Sequence, residues 1–234
     1  MKTTTQSNTA VATAQIADAC IRLQLPVRFA PAGIKPVVPL ETMVYGPVVP
    51  VRHYGSVDIF FEALELASKR GILVVDNGGR EDEACIGDMT VLEVRHAGLE
   101  AMIVWGLHRD TNELHQIGFP VFTYGSCSQG PSRLDPREPE ALTSARFGNF
   151  YVTRFDTAFA DQDGVMFVET AHVKQVLDVA TTIRETEKIQ ADAVVRGLSL
   201  REQFQFQEFL KLRDNNAEYT FRKHLRAISK SIEE

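Results

Sequence analysis

Two short apolar runs set the terms for what this chain can fold into. Ile72-Leu73-Val74-Val75 leads directly into Asp76-Asn77-Gly78-Gly79, and Ala101-Met102-Ile103-Val104-Trp105 leads into Gly106-Leu107-His108-Arg109-Asp110. Apolar and β-branched runs of this length, closed by glycine and charge, read as short strands that hand over to a loop or helix. Helical patterns stand before and between them. Ile16, Ala19, Cys20 and Leu23 recur at helical spacing ahead of Pro26. Ser56 has the character of an N-cap for a helix carrying Phe60, Ala63, Leu64 and Ala67 on one face, with Lys69 and Arg70 in its last turn and Gly71 as its stop. Glu83 to Ala97 reads as a helix closed by Gly98, and Asp110 to Gln116 as a short one before the strand Pro120 to Tyr124. Strand, helix, strand, helix, strand is an α/β order with parallel pairings.

Other stretches are set by exclusion. Six prolines between Leu25 and Pro50 rule out helix, because proline lacks the donor and clashes with the preceding turn. Extended edge segments and turns remain, with Val48, Val49 and Val51 the best strand. Residues 125–148 read as a long loop rich in Ser, Gly, Pro and Arg, of a length usually reserved for function or oligomer contact. Phe150 to Val152 and Val165 to Val168 resume strand character around the turn Asp161-Gln162-Asp163-Gly164. After Thr170 the pattern is helical with a break at Gly197, and its aromatics, Phe204, Phe206, Phe209, Tyr219 and Phe221, are expected to dock on a neighbouring subunit.

At 234 residues, a net charge of −6 and no basic run, the chain offers nothing to neutralise phosphates, so no nucleic-acid partner is expected. Its apolar stretches are too short to span a membrane. Three widely spaced cysteines, Cys20, Cys85 and Cys127, make neither a disulfide framework nor a zinc set and suit a reducing cytoplasm. The polar, Thr-rich start is read as a disordered tail over residues 1–12.

The chemistry concentrates at the two strand ends. Twenty residues separate Asp88 from Arg109, and Asp110 follows at once. Loops at the carboxyl ends of parallel strands are where open α/β sheets place ligands. Arg109 has the planar fork for a carboxylate or a developing oxyanion. Asp110 is a hard oxygen ligand of the kind Mg²⁺ or Mn²⁺ takes. A structural Arg–Asp pair beside a glycine turn is the plainer alternative on local sequence. His53, in Arg52-His53-Tyr54-Gly55-Ser56, and His108 are candidate substrate contacts; His115 reads as a surface residue and Cys85 as a small packed one. Arg133, Arg137 and Arg146 read as pairing with Asp135, Glu138 and Glu140 in a solvated loop.

Several motifs in register add a resemblance. The Asp, twenty residues, Arg-Asp spacing is similar to the signature of the class II pyruvate aldolases, among them 4-hydroxy-4-methyl-2-oxoglutarate aldolase, that share a fold with the RraA-type regulators of ribonuclease E. Val75-Asp76-Asn77-Gly78-Gly79 resembles that family's Val-Asp-x-Gly-Gly loop, Pro120-Val121-Phe122 its Pro-Val-Phe strand, and Asp161 to Val165 its Asp-x-Asp-Gly-Val turn. Asp18-Ala19 also fits, whereas Phe155-Asp156 stands where the family has Gly-Asp.

The resemblance implies a swivelling β/β/α-type (RraA-like) domain over residues 13–185 with a helical C-terminal extension over 186–234. It further implies a homotrimer or homohexamer with sites near subunit interfaces. The implied activity is a divalent-metal-dependent lyase acting on a small 2-oxo acid, by retro-aldol cleavage of a 4-hydroxy-2-oxo acid or decarboxylation of oxaloacetate. Asp110 would bind Mg²⁺ or Mn²⁺, with Asp88 acting through water. Arg109 would contact the oxygen of the nascent enolate, and backbone amides at Gly87, Asp88 and Met89 would hold the carboxylate. No histidine stands in an obvious position for proton transfer, so an activated water is expected there. The alternative is a non-catalytic regulator that works by protein docking; methyl transfer to a quinone lacks a glycine-rich nucleotide loop. Retention of the Asp pair, which the ribonuclease regulators lack, argues for the enzyme branch.

Overall fold

Helix α1 (Thr13–Arg22) stops ahead of Pro26, and the proline-rich stretch beyond it runs extended as β1 (Arg28–Phe29), β2 (Lys35–Pro36) and β3 (Val44–Arg52). The computed structural model describes residues 11–228. The expected tail thus lies mostly outside the described residues. β3 is longer than the valine pattern suggests and lies inside a sheet despite holding Pro47 and Pro50. It can do so because it changes partner midway. Val44 to Pro47 pairs antiparallel with β11 (Asp156–Ala160), and Val48 to Arg52 pairs parallel with β4 (Ile72–Asp76). Each half is bonded along one edge, and a proline nitrogen on the other edge costs the ladder nothing. Arg52, two residues beyond Pro50 and on the same edge, donates its N–H to the Ala141 carbonyl instead of to β4.

Helix α2 (Asp58–Leu66) begins two residues after Ser56 and ends before Lys69, so neither Ser56 nor Gly71 bounds it directly. Tyr54 Oη donates to the Asp58 carboxylate at this start. The segment read as one helix from Glu83 divides into β5 (Ala84–Ile86) and α3 (Asp88–His96). Ala84, Cys85 and Ile86 are buried, and their strand pairs in parallel with β7 (Leu107–His108), which follows β6 (Ala101–Trp105). Helix α4 (Thr111–Ile117) and β8 (Val121–Thr123) come next. The long loop ends in a hairpin of β9 (Ser144–Phe147) and β10 (Phe150–Thr153), and β12 (Val165–Glu169) follows β11. β11 went unpredicted: Asp156 and Thr157 interrupt its apolar character, yet all five residues are buried.

The eight-stranded sheet runs β1-β12-β11-β3-β4-β6-β8-β2, with parallel pairings from β3 to β8 and antiparallel ones outside them. Strand alternation sorts its side chains into two cores. Leu73, Val75, Met102, Val104 and Val121 face Phe60, Val91, Val94 and Leu114 of the three helices. Ile72, Val74, Ile103 and Phe122 face the other way, against Phe147 and Val152 of the hairpin and Phe167 of β12. Strands covered on both sides read as unbroken apolar runs, which is what residues 72–75 and 101–105 are.

A second unit comprises residues 14–26 and the chain from Lys174 onward. Its α5 (Val173–Val195) is one helix of 23 residues, so a boundary after residue 185 would fall inside it. Gln15 of α1 donates to Glu187 of α5 at 2.7 Å. Gly197, with φ of +98°, turns the chain into α6 (Leu200–Gln203), capped by the reciprocal Ser199–Glu202 box. Helices α7 (Phe206–Asn215) and α8 (Phe221–Ala227) complete the unit. The aromatic series packs on itself: Phe209 lies 5.0 Å from Phe221 and 5.7 Å from buried His224, ring centre to ring centre.

Phe167 is fully buried, edge-on to Phe147 at 5.5 Å. Phe167→Ala is expected to lower stability by about 3–5 kcal/mol, read as a shift in the denaturant midpoint with an unchanged slope.

Candidate functional site

The neighbouring strands β4 and β6 end in register, Asp76 opposite Trp105, and release their loops on the same side of the sheet. The β5–β7 pair then holds those loops together. The N–H of Arg109 donates to the Ile86 carbonyl at 3.0 Å, so Arg109 and Asp110 leave β7 beside the start of α3. Asp110 adopts the left-handed conformation at φ +62° in the position before α4, its side chain making no capping bond to that helix; aspartate is among the few residues that tolerate this region. The bend sets its Oδ2 3.4 Å from the Asp88 amide and 3.4 Å from Arg109 Nε.

Gly87 makes this convergence possible. A Cβ there would fall 2.3 Å from Asp110 Oδ2 and 3.2 Å from Arg109 Cγ, so any side chain would displace both. Asp88 is the first residue of α3, and its Oδ1 accepts the Met89 amide at 2.7 Å. The Met89 side chain is turned outward and largely exposed. Arg109 remains half-exposed, with Asp110 as its ion-pair partner. Gly87, Arg109, Thr90, Ser56 and His53 line one cavity of about 370 Å³.

The donor set fits a hard divalent cation held on one side. Asp110 offers a carboxylate beside Gly87, Asp88 adds a second one whose Oδ1 accepts the Met89 amide, and no group of three or more His, Cys, Asp or Glu is gathered among the described residues. Mg²⁺ is commonly held by one or two carboxylates with waters and substrate completing its shell.

The two histidines have different fates. His108 is buried, its Nδ1 2.7 Å from Thr123 Oγ1 and its Nε2 3.1 Å from Thr111 Oγ1. Both nitrogens are thus engaged within the protein, so His108 supports the β7 bend from behind. Burial pushes its imidazole below the ordinary range, as does the nearby His115. His53 stacks flat on Phe60 with ring centres 5.3 Å apart, and its Nδ1 is 2.9 Å from Asn77 Oδ1. Burial lowers its imidazole as well, with the Arg133 charge adding to the shift.

The long loop is less solvated than its composition suggests. Arg133 donates Nε to Glu83 Oε1 at 3.0 Å and Nη2 to Asn77 Oδ1 at 2.8 Å, and also pairs with Asp135. Glu83 is buried, only 3% exposed. The expected Arg133–Asp135 pair therefore exists, but the buried Glu83 and Asn77 contacts dock the loop. Arg137 pairs with Glu62, Glu138 with Arg52, and Arg146 lies over the Trp105 ring. Glu83 and Asn77 escaped notice as site residues because nothing local marks them; their partner is fifty or more positions away. Cys85 is buried, and burial pushes its thiol up, away from reactivity.

A family model described as RraA-like (Aldolase/RraA) matches residues 13–167, and the chain belongs to this family. The chain is 23% identical over 172 residues to an uncharacterised protein of Methanocaldococcus jannaschii, covering 73% of this chain and 82% of that one. It is 30% identical over 121 residues to a Halorhodospira halophila protein provisionally named 4-hydroxy-4-methyl-2-oxoglutarate aldolase, covering 52% and 73%. Among solved structures, a Pseudomonas syringae protein superposes with TM-score 0.72 at 20% identity, covering 86% of this chain and 98% of that one. Streptomyces coelicolor RraAS2, described as an unusual member of the RNase ES inhibitor RraA protein family, gives 0.66 at 22% identity, covering 76% and 90%. The mixed α/β half-barrel is thus the swivelling β/β/α fold, followed by a helical C-terminal segment.

Two outcomes follow from the buried groups. Glu83→Gln leaves the Arg133 guanidinium without its buried counter-charge and is expected to cost about 2–3 kcal/mol, measured by urea denaturation. His53 and His108 both bind their protons more weakly folded than unfolded. Stability is therefore complete above the unfolded value near 6.5 and falls as pH drops through it toward the folded values. The urea midpoint should be lower at pH about 5.5 than at about 7.5, and His108→Asn should reduce that difference.

Proposed function

We propose that this chain is a divalent-metal-dependent lyase that breaks a carbon–carbon bond of a 2-oxo acid and releases pyruvate. Its substrate is a 4-hydroxy-2-oxo acid, oxaloacetate, or both. The observation that carries this reading is the approach of Arg109 and Asp110 to a glycine that admits no side chain, with the Asp88 amide on Asp110 and with Gly87 and Arg109 lining a cavity of about 370 Å³. The provisional name of the Halorhodospira relative points the same way.

Asp110 would hold Mg²⁺ or Mn²⁺ directly and Asp88 through a water. Such an ion, when bound, supplies Lewis-acid polarisation of the 2-oxo group. The half-exposed Arg109 guanidinium receives the negative charge that grows on the 2-oxo oxygen as the bond to carbon 3 breaks. The substrate carboxylate belongs at the start of α3, at the positive end of its dipole, where it would have to take the Asp88 and Met89 amides from the Asp110 and Asp88 carboxylates that now accept them. The Asp110 carboxylate also keeps Arg109 turned toward this mouth, so one residue serves two tasks.

A cytoplasmic setting suits three free cysteines, two of them buried, and no helix among the described residues is long and apolar enough to cross a membrane. A homotrimer or homohexamer is the assembly we infer from family membership.

The test is pyruvate release from 4-hydroxy-4-methyl-2-oxoglutarate and from oxaloacetate, with Mg²⁺, with Mn²⁺ and with EDTA. Release should require the metal. Asp110→Ala should abolish it while leaving the circular dichroism spectrum unchanged, and Arg109→Lys should lower it about 100-fold. Release that persists in EDTA and in Asp110→Ala would sink the assignment. Absence of release, together with stoichiometric binding of a protein partner indifferent to both, would establish the docking regulator instead.

A further inference from the structure

Retro-aldol cleavage needs a group that removes the proton from the 4-hydroxyl and returns one to carbon 3. The sequence shows no histidine in an obvious position for this, and His108, next to Arg109, has both ring nitrogens engaged by Thr123 and Thr111. The fold brings one to the same cavity. His53 leaves the end of β3, stacks on Phe60, and lines the cavity together with Gly87 and Arg109.

A chain of obligate hydrogen bonds decides which nitrogen of His53 carries the hydrogen. Glu83, buried and anionic, takes Arg133 Nε at 3.0 Å. Arginine can only donate. The atom of Asn77 that meets Arg133 Nη2 at 2.8 Å is therefore the amide oxygen. That same oxygen lies 2.9 Å from His53 Nδ1, which must then donate to it. The cost of this orientation is visible, since Asn77 Nδ2 is left buried without a hydrogen-bond partner among the described residues. His53 is thereby held with hydrogen on Nδ1 and a lone pair on Nε2. Nε2 makes no hydrogen bond to a described protein group, yet it is not among the sealed, unpartnered atoms although His53 is only 8% exposed. Nε2 thus keeps contact with open space, and His53 lines both the Arg109 cavity and a second one with Asn77, Arg133 and Asp135.

We propose that His53, fixed as the Nδ1–H tautomer by the Glu83–Arg133–Asn77 chain, carries the proton of the lyase reaction on Nε2. This rests on the lyase reading above. Nε2 takes the 4-hydroxyl proton, and the O–H electron pair becomes the second bond of the new carbonyl. The bond between carbons 3 and 4 breaks, and its pair passes to the carbon 2–carbon 3 bond as the 2-oxo oxygen gains charge. The imidazolium then returns the proton to carbon 3, giving pyruvate and neutral His53. The charged groups around the ring are Arg133, Glu83 and Asp135, with Arg109 also lining the cavity, and burial holds the imidazole below its ordinary range, which favours the neutral ring whose lone pair can take a proton.

The test compares His53→Asn with the wild-type chain; the asparagine amide can still donate to Asn77. Aldol cleavage and exchange of pyruvate methyl protons in D₂O should both fall about 100-fold. Oxaloacetate decarboxylation, which expels CO₂ with no prior proton removal, should fall by less than about 10-fold. Cleavage and exchange within about 3-fold of wild type would overturn the assignment while leaving the lyase reading intact. Equal losses in both reactions would mark a merely structural role and overturn it too. A wild-type chain that releases no pyruvate from either substrate removes the lyase reading and this inference with it. Imidazole ¹⁵N spectra of the full chain give an answer independent of turnover: a neutral Nδ1–H ring is expected for His53, and an Nε2–H ring would refute the proposal.

Discussion

The buried Glu83–Arg133 ion pair is the contact on which the site depends. It joins three segments far apart in sequence: the loop after β4, the long loop after β8, and, through Asn77, the end of β3. Two charges removed from water are stable only when well paired and fully hydrogen-bonded. Arg133 meets that condition with donations to Glu83, Asn77 and Asp135. Gly55 shows how closely the loop is drawn in, because a Cβ there would lie 2.2 Å from the Arg133 carbonyl oxygen. Without the pair the loop would keep its backbone bonds to Tyr54, Ala84 and Arg52 and its outer pairs with Glu62 and Arg52, but would lose its anchor to a buried charge.

The site therefore has two shells of different origin. The inner one, Gly87 with Asp88, Arg109 and Asp110, is made by local geometry: a parallel pair of two short strands and one left-handed aspartate. The outer one, His53 with Asn77, Arg133 and Glu83, is made by long-range docking. The first sets charge where a 2-oxo acid would sit; the second sets a tautomer.

This division explains what the sequence disclosed. The inner shell was legible because its residues are neighbours on two loops, and apolar runs locate the strands that carry them. The parallel half of the sheet was legible for the same reason. β11 was not, because its buried Asp156 answers Arg28 from a distant strand and so breaks the local apolar pattern. β5 was absorbed into a helix because Ala84-Cys85-Ile86 is too short to show a period, and its partner β7 is equally short. The aromatic tail reads in one dimension as a stripe, which does not reveal that α7 and α8 fold several of its rings onto each other.

β3 carries a consequence of another kind. Like β8, which joins parallel β6 to antiparallel β2, it links the two kinds of ladder in the eight-stranded sheet, and its exchange of partners occurs within the strand, between Pro47 and Val48. On one side of that junction lie the antiparallel strands β11, β12 and β1, and on the other the parallel strands β4 and β6, from whose ends the loops of Asp76 and Arg109 set out. The junction acts as a splice. Changes in length or twist among β1, β11 and β12 need not propagate into the register of β4 and β6, so the back of the domain can diversify while the strand ends that frame the cavity keep their alignment.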